Sequence, residues 1–298
     1  MQLDFFPSTV PVSAAGLDAN SEPKKWEDAV DRWVVEQSQK SSLKTDLMHF
    51  RWLAKFLCGR TLSEIDRSVI ESLKNFKLGE GASNATVNRM LALTRSVLRR
   101  AALDWGWIAT PPHFRLLKEP TRRVRFLTRA EAVRLLHELP PHLSDMAAFS
   151  LATGLRRANV TGLLWSQVNL TLRIAWIHPD QAKARKAIPV PLNDDAFMFV
   201  SKQFGTHRTH VFSYKGAPIT QVSTAAWYKA LKRASITEFR WHDLRHTWAS
   251  WHAQAGTPLL VLQELGGWES TEMVRRYAHL GAGHLAGYAA NLKPLRHG

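Results

Sequence analysis

Cysteine is almost missing: Cys58 stands alone in 298 residues. One thiol allows no internal disulfide and no cysteine-based zinc cluster, which fits a reducing cytoplasm. No apolar run approaches the roughly 18 residues that a membrane span needs. Even the stretch Met146–Leu155 is interrupted by polar residues. The N-terminus lacks the basic start and apolar stretch of a secretory signal, so secretion is not expected. A Gly-rich phosphate loop is absent, and with it the signature of a nucleotide-driven step. The thirteen histidines show no metal-ligand spacing. Asp194-Asp195, which follow a Pro-Leu-Asn turn, read as solvated loop acids and not as a two-metal cluster. No metal or other cofactor is expected.

Acid is also short. Lys and Arg number 40 against 25 Asp and Glu, a formal charge of +15. The default partner of such a chain is a polyanion. Residues 1–23 carry three acids, Asp4, Asp18 and Glu22, and no Lys or Arg, so the base lies in the body of the chain and not in a tail. With 45% hydrophobic and 22% charged residues the composition is globular, and the length suits two ordinary domains.

Residues 1–23, rich in Ser, Ala, Pro and Asn, read as a loose leader. From Trp26 to Trp107 the pattern predicts three or four amphipathic helices, with breaks near Ser41, Gly59-Arg60-Thr61 and Gly79–Gly81. The strongest starts near Ser83 and sends Met90, Leu91, Val97, Leu98 and Ala101 to one face. On or near its polar face lie Asn84, Thr86, Asn88, Arg89, Arg95 and Arg99, DNA-binding candidates whose helix start suits the major groove while the arginines hold phosphates. Pro111-Pro112 ends this helical unit, 24–112. Residues 113–127 follow as a basic linker with Arg122, Arg123 and Arg125, a strap suited to phosphates. Thr128-Arg-Ala-Glu131 is a capping box that opens a second domain, 128–280. Within it Arg173–Ile177 and Ala187–Val190 read as two short strands around a loop holding Lys183, Arg185 and Lys186, after which helices resume. Thr257-Pro258 reads as a helix start, and Gly256 and Gly266 as helix ends.

The chemistry-bearing candidates sit at helix starts and turns. His242-Asp-Leu-Arg245 places a histidine and an arginine on one helical face, while Leu244, Trp248, Trp251 and Ala255 form a separate apolar stripe. Arg156 follows the break Thr153-Gly154-Leu155. Tyr277 comes nine residues after Trp268; by periodicity alone it shares a core spacing with Met273 and Leu280.

These residues carry a family resemblance. The run ATGLRRANVTGLLWSQV resembles the first motif box of the tyrosine recombinases, the phage integrases and their relatives. The stretches WHDLRHTWASWHAQAG, LQELGGWES and VRRYAHL resemble the second box, in the same order. Single motifs of this length arise by chance; the ordered set with a lysine hairpin between does not. The resemblance spans about Lys24–Leu280. It implies a mainly α fold: an N-terminal helical, SAM-like core-binding domain, then a mainly helical catalytic domain with a small antiparallel sheet. It also implies Arg156, Lys183, His242, Arg245 and Trp268 as catalytic residues and Tyr277 as nucleophile. One position departs: where the family has Glu or Asp three residues after the first arginine, this chain has Asn159, which can hold a hydrogen bond but adds no negative charge.

The reaction implied is cleavage and rejoining of double-stranded DNA through a 3′-phosphotyrosyl intermediate. Its chemistry asks for these residue types. Guanidiniums neutralise the non-bridging oxygens with fork-like bonds. Tyrosine, with a pKa near 10, needs its proton accepted, for which His242 is the candidate. A lysine on a hairpin can protonate the departing 5′-oxygen. The expected enzyme is a site-specific integrase of a phage, prophage or other mobile element, cytoplasmic, free of membrane, and tetrameric on DNA. A host architectural or directionality factor is a further expected partner. Residues 281–298, with Leu285, Tyr288, Ala289 and Leu292 at helical spacing, suit a protomer-docking helix. Two other classes use the same residues or fold: a type IB-like topoisomerase, and a DNA-binding protein without catalysis.

Overall fold

A computed structural model describes residues 22–120, 124–180 and 187–281. The leader apart from Glu22 and Pro23, Arg122, Arg123, Lys183 and the C-terminal helix expected over 281–298 apart from Gly281 lie outside these residues. By backbone contacts the chain divides into two compact units, Met1–Thr121 and Arg122–Gly298.

The first unit is helical: α1 (Trp26–Glu36), α2 (Leu43–Leu57), α3 (Arg67–Gly79) and α4 (Asn84–Leu103). Each helix is amphipathic, and the apolar faces meet in a core of Trp26, Trp33, Phe50, Leu53, Leu57, Met90, Leu91 and Val97. Ser83 caps α4 by accepting the Thr86 amide at 3.3 Å. Leu43 and Arg67 start helices after the breaks the sequence marks.

Within the expected basic linker, 113–127, the described residues are held by the units on either side of it in the chain. Phe114 is buried in the core of the first unit, and Leu127 in that of the second. Polar residues of α4 fasten its first part. The Asn84 amide donates to Lys118 O at 2.8 Å. Asn88 donates to Leu117 O and Glu119 Oε1 and accepts the Leu117 amide, each at 2.8 Å. Arg95 donates to Phe114 O at 2.6 Å and lies over the Phe114 ring. A Pro-flanked extended segment has backbone groups without a ladder, and side-chain amides satisfy them here.

The second unit opens with α5 (Arg129–Glu138) behind the expected capping box: Thr128 Oγ1 accepts the Glu131 amide at 3.1 Å, and Glu131 accepts the Thr128 amide at 2.8 Å. Next comes α6 (Pro141–Thr153), which is buried almost all round through Leu143, Met146, Ala147, Phe149 and Leu151. An all-round apolar helix belongs in the centre of a domain. It packs against α8 (Asp194–Lys202) and α10 (Asp243–Gln254), which follows α9 (Ala225–Arg233); between α6 and α8 stands the short α7 (Arg157–Thr161).

The sheet is antiparallel, with β2 (Ile174–Ile177) between β1 (Val168–Asn169) and β3 (Ile188–Pro191) and Ile177 paired with Ile188. The sequence signalled β2 and β3 but not β1, nor the hairpin of β4 (Ser213–Tyr214) and β5 (Ala217–Pro218). Strands of two residues hold no alternation to read. Their turn, Lys215-Gly216, has both φ angles positive, at 51° and 77°. The described residues continue through α11 (Leu259–Gly266) and α12 (Thr271–Arg275) to a 3-10 turn at Ala278–Gly281. Pro258 is the N-cap of α11, one residue later than expected, and Gly267 in the left-handed conformation ends it in place of Gly266. Among the described residues no helix is long and apolar enough to cross a membrane.

Candidate active site

Three turns of the second unit converge on α10. The first ends α6. Gly154 caps that helix with φ 64°, a left-handed conformation that favours glycine. A Cβ there would also lie 2.2 Å from the Trp248 ring. The turn buries Leu155 and sets Arg156 at the N-cap of α7. The second turn, Gly266-Gly267, ends α11; a Cβ on Gly266 would meet the Trp268 ring at 1.9 Å. The third follows α12 and carries Tyr277, whose amide bonds to Val274 O at 2.9 Å.

These turns lend carbonyl oxygens to two arginines. Arg245, only 4% exposed, donates to Gly154 O at 2.7 Å and to Gly266 O at 2.6 Å. Arg156, half-buried, donates to Gly267 O at 3.2 Å. The Arg245 guanidinium also lies 4.0 Å from the centroid of the Trp268 ring, and Trp248 stacks behind that ring. No carboxylate forms an ion pair with Arg156 or Arg245 among the described residues. Buried cations are ordinarily paired. Burial lowers the pKa of Arg156. Burial, then Arg156, lowers that of Arg245 to about 9, so both remain cations at neutral pH. The pair is a preformed seat for an oxyanion.

The expected separation of α10 into an anchoring face and a ligand face does not hold. Arg245 is buried with Leu244, Trp248 and Ala249, whereas Ala255 is exposed. Arg245 is held inside because the two turns supply carbonyl partners there. His242 forms the N-cap of α10 and is exposed. Desolvation by the surrounding protein lowers its pKa first, followed by Arg245; Asp243 opposes them. It is neutral at pH 7.

The Tyr277 hydroxyl meets a residue that sequence reasoning missed. His246 Nδ1 lies 2.5 Å from it, whereas His242 forms no hydrogen bond with Tyr277. His242 and His246 are one helical turn apart, with rings edge to face at 5.1 Å. That i, i+4 spacing within His242-Asp-Leu-Arg-His246 was the available signal. Burial, then His242, lowers the His246 pKa to about 4. Burial raises the Tyr277 pKa to about 12, opposed by Arg245 and Arg276. Tyr277 is 1% exposed and packs with Trp248, Ala249, Leu262 and Val274. The core reading and the functional one therefore coincide at this residue.

Arg156, His242, Arg245, Trp268 and Tyr277 thus come together around α10, from stretches more than 100 residues apart. Lys183 lies outside the described residues. Asn159 is buried, but its side-chain Nδ2 has no hydrogen-bond partner, so it shows no supporting contact through that atom. In the first unit Asn84, Asn88 and Arg95 bond residues 114–119, and both donors and the acceptor of the Asn88 side chain are engaged there. Thr86 belongs to the α4 cap. Arg89 and Arg99 are exposed on α4. Arg125 is paired with Glu131 at 3.0 Å and is not a free phosphate ligand.

Residues 125–284 match the Phage integrase family. The chain is 37% identical to the integrase of Salmonella phage P22, over 91% of this chain and 80% of that protein. It is 31% identical to the integrase of Haemophilus phage HP1, over 71% of this chain and 60% of that protein. Among solved structures, lambda integrase bound as a dimer to a core site is similar with TM-score 0.73 at 20% identity, covering 85% of this chain and 95% of that one. The Tn1549 transposon integrase in complex with a circular intermediate DNA is similar with TM-score 0.77 at 17% identity, covering 89% of this chain and 98% of that one.

Proposed function

The chain belongs to the phage integrase family of tyrosine recombinases, and from that premise we propose that it integrates or excises a mobile element by cutting and rejoining DNA through Tyr277. One observation carries the assignment of residues. Two guanidiniums, held by backbone carbonyls and matched by no carboxylate among the described residues, lie beside a buried tyrosine whose ring packs on the tryptophan under one of them.

In this reading the scissile phosphate supplies the missing negative charge. Arg156 and Arg245 take its non-bridging oxygens, and their attraction grows as charge builds on those oxygens in the transition state. His242 and Trp268 complete the cradle. Tyr277 Oη attacks phosphorus; the P–O5′ bond breaks and a 3′-phosphotyrosyl ester forms. Lys183, which stands in sequence between β2 and β3, protonates the 5′-oxygen. The ester retains the bond energy, so a 5′-hydroxyl of another strand reseals it without ATP. The fixed cations do the work a metal ion would do elsewhere.

Residues 24–112 serve as the core-binding domain and residues 128–280 as the catalytic domain, with Arg89, Arg99, Arg122 and Arg123 as phosphate contacts. A lambda integrase structure is a tetramer on a Holliday junction; we assign this chain the same assembly on DNA, in the bacterial cytoplasm. The test is a nicked half-site taken from the chain's footprinted binding sequence, which traps the intermediate. The wild-type chain should give a covalent adduct on a denaturing gel and Tyr277→Phe none. An adduct formed by the Phe variant would overturn the nucleophile. Relaxation of supercoiled plasmid of arbitrary sequence by a monomer would replace the recombinase with a topoisomerase.

A further inference from the structure

We propose that His246, and not His242, takes the Tyr277 proton during strand cleavage, an inference that rests on the reading of Tyr277 as nucleophile. The hydroxyl and His246 Nδ1 are 2.5 Å apart, the short distance of a strong hydrogen bond to the reacting oxygen itself. His246 follows Arg245 on α10, so the same helix fixes the proton acceptor and one phosphate clamp. Among the described residues the hydroxyl has no second hydrogen-bond partner.

With its own proton on Nε2, neutral His246 offers Nδ1 as an acceptor. Its surroundings keep it neutral at rest: burial first, then His242, disfavour the charged ring, Arg276 and Arg245 act in the same sense, and Asp243 opposes them. The phenol therefore keeps its proton until attack begins. As the Oη–P bond forms, the phenol oxygen loses its basicity and the proton passes to Nδ1. The electron pair of the P–O5′ bond leaves with the 5′-oxygen, which is protonated separately. In resealing, the sequence reverses: the 5′-hydroxyl attacks phosphorus, the Oη–P bond breaks, and His246 returns the proton to Tyr277. His242 is then free to face the phosphate from the start of α10.

The experiment compares His246→Ala and His246→Asn with the wild type on the nicked half-site, and repeats the comparison with a 5′-bridging sulfur at the scissile phosphate. The Asn oxygen stands near the place of Nδ1 and can hold the tyrosine, but it is not a base. Thiolate leaves without needing a proton. Both variants should bind the intact site as the wild type does, yet form adduct more slowly by about 100-fold or more. The sulfur substrate should not restore either, because the defect lies on the nucleophile. Wild-type rates in His246→Asn would reduce His246 to a positioning residue and overturn the inference. Recovery of His246→Ala on the sulfur substrate would move its role to the leaving group and overturn it as well. If the Ala variant fails to fold, the Asn variant alone decides. Absence of adduct from the unsubstituted chain would instead refute the nucleophile reading, and this inference with it.

Discussion

The guanidinium of Arg245 lies 4.0 Å from the centroid of the Trp268 ring, and the two are joined through one turn: Gly266 gives its carbonyl to the arginine and makes room for the indole. Arginine position and ring position are thus set together. Removing either partner should disturb the phosphate seat, by different amounts.

Arg245→Ala should lose adduct formation by on the order of 10²–10³ or more, since a fixed donor to the developing oxyanion is gone. It should also lose roughly 1–3 kcal/mol of stability, because buried carbonyls of Gly154 and Gly266 are left without their partner. Arg245→Lys keeps the charge but not the fork, and should still fall by roughly 10² in cleavage. Trp268→Phe should keep most of the activity, whereas Trp268→Ala should lose about tenfold with the cation–π contact. Single-turnover cleavage and urea unfolding measure both quantities.

Gly154→Ala should be among the most damaging small substitutions. The residue has φ 64°, and the new methyl would stand 2.2 Å from a Trp248 ring carbon. Left-handed strain of about 1–2 kcal/mol adds to an overpacking cost of about 1–3 kcal/mol. Cleavage should fall as well, because Gly154 O orients Arg245. A Gly81→Ala variant, whose Cβ meets nothing within 4 Å at φ 79°, should show the strain alone.

Acid should destabilise the second unit through His246. Its folded pKa, about 4, lies below the ordinary 6.5, so its protonation favours the unfolded chain. The stability it contributes is fully present above pH 6.5 and is lost as pH falls toward about 4, up to on the order of 3 kcal/mol. His242 and His252 are shifted in the same direction. In His246→Asn the loss of stability between pH 6.5 and 4 should be smaller than in the wild type. An identical slope in thermal melts across that range would contradict the prediction.

Asn88 and Arg89 are neighbours with opposite expectations. Asn88→Ala frees three hydrogen bonds that hold residues 117 and 119, and should cost the first unit about 1–3 kcal/mol. Arg89→Ala, on the exposed face, should leave stability within about 0.5 kcal/mol and lower the salt slope of DNA binding by about one. Thermal melts and binding titrations across a salt series separate the two.

Much of this protein could be read from short stretches of chain. The four helices of the first unit, the Ser83 cap, the Thr128–Glu131 box and strands β2 and β3 all follow from periodicity and end signals that act within a few residues. Ordered motifs singled out Arg156, His242, Arg245, Trp268 and Tyr277, which the fold gathers around α10. Tertiary structure alone decided what each of them touches. Asn88 and Arg89 are adjacent on one polar face, yet only folding residues 114–119 back along α4 turns the first into a fastener and leaves the second exposed. His242 and His246 are equally placed to serve a tyrosine some thirty residues further on; the turn after α12 delivers the hydroxyl to His246. The partners of Arg245 are carbonyls of Gly154 and Gly266, 91 and 21 residues away. A backbone oxygen carries no side-chain identity, so nothing in the letters of those positions marks it as the ligand of a buried cation.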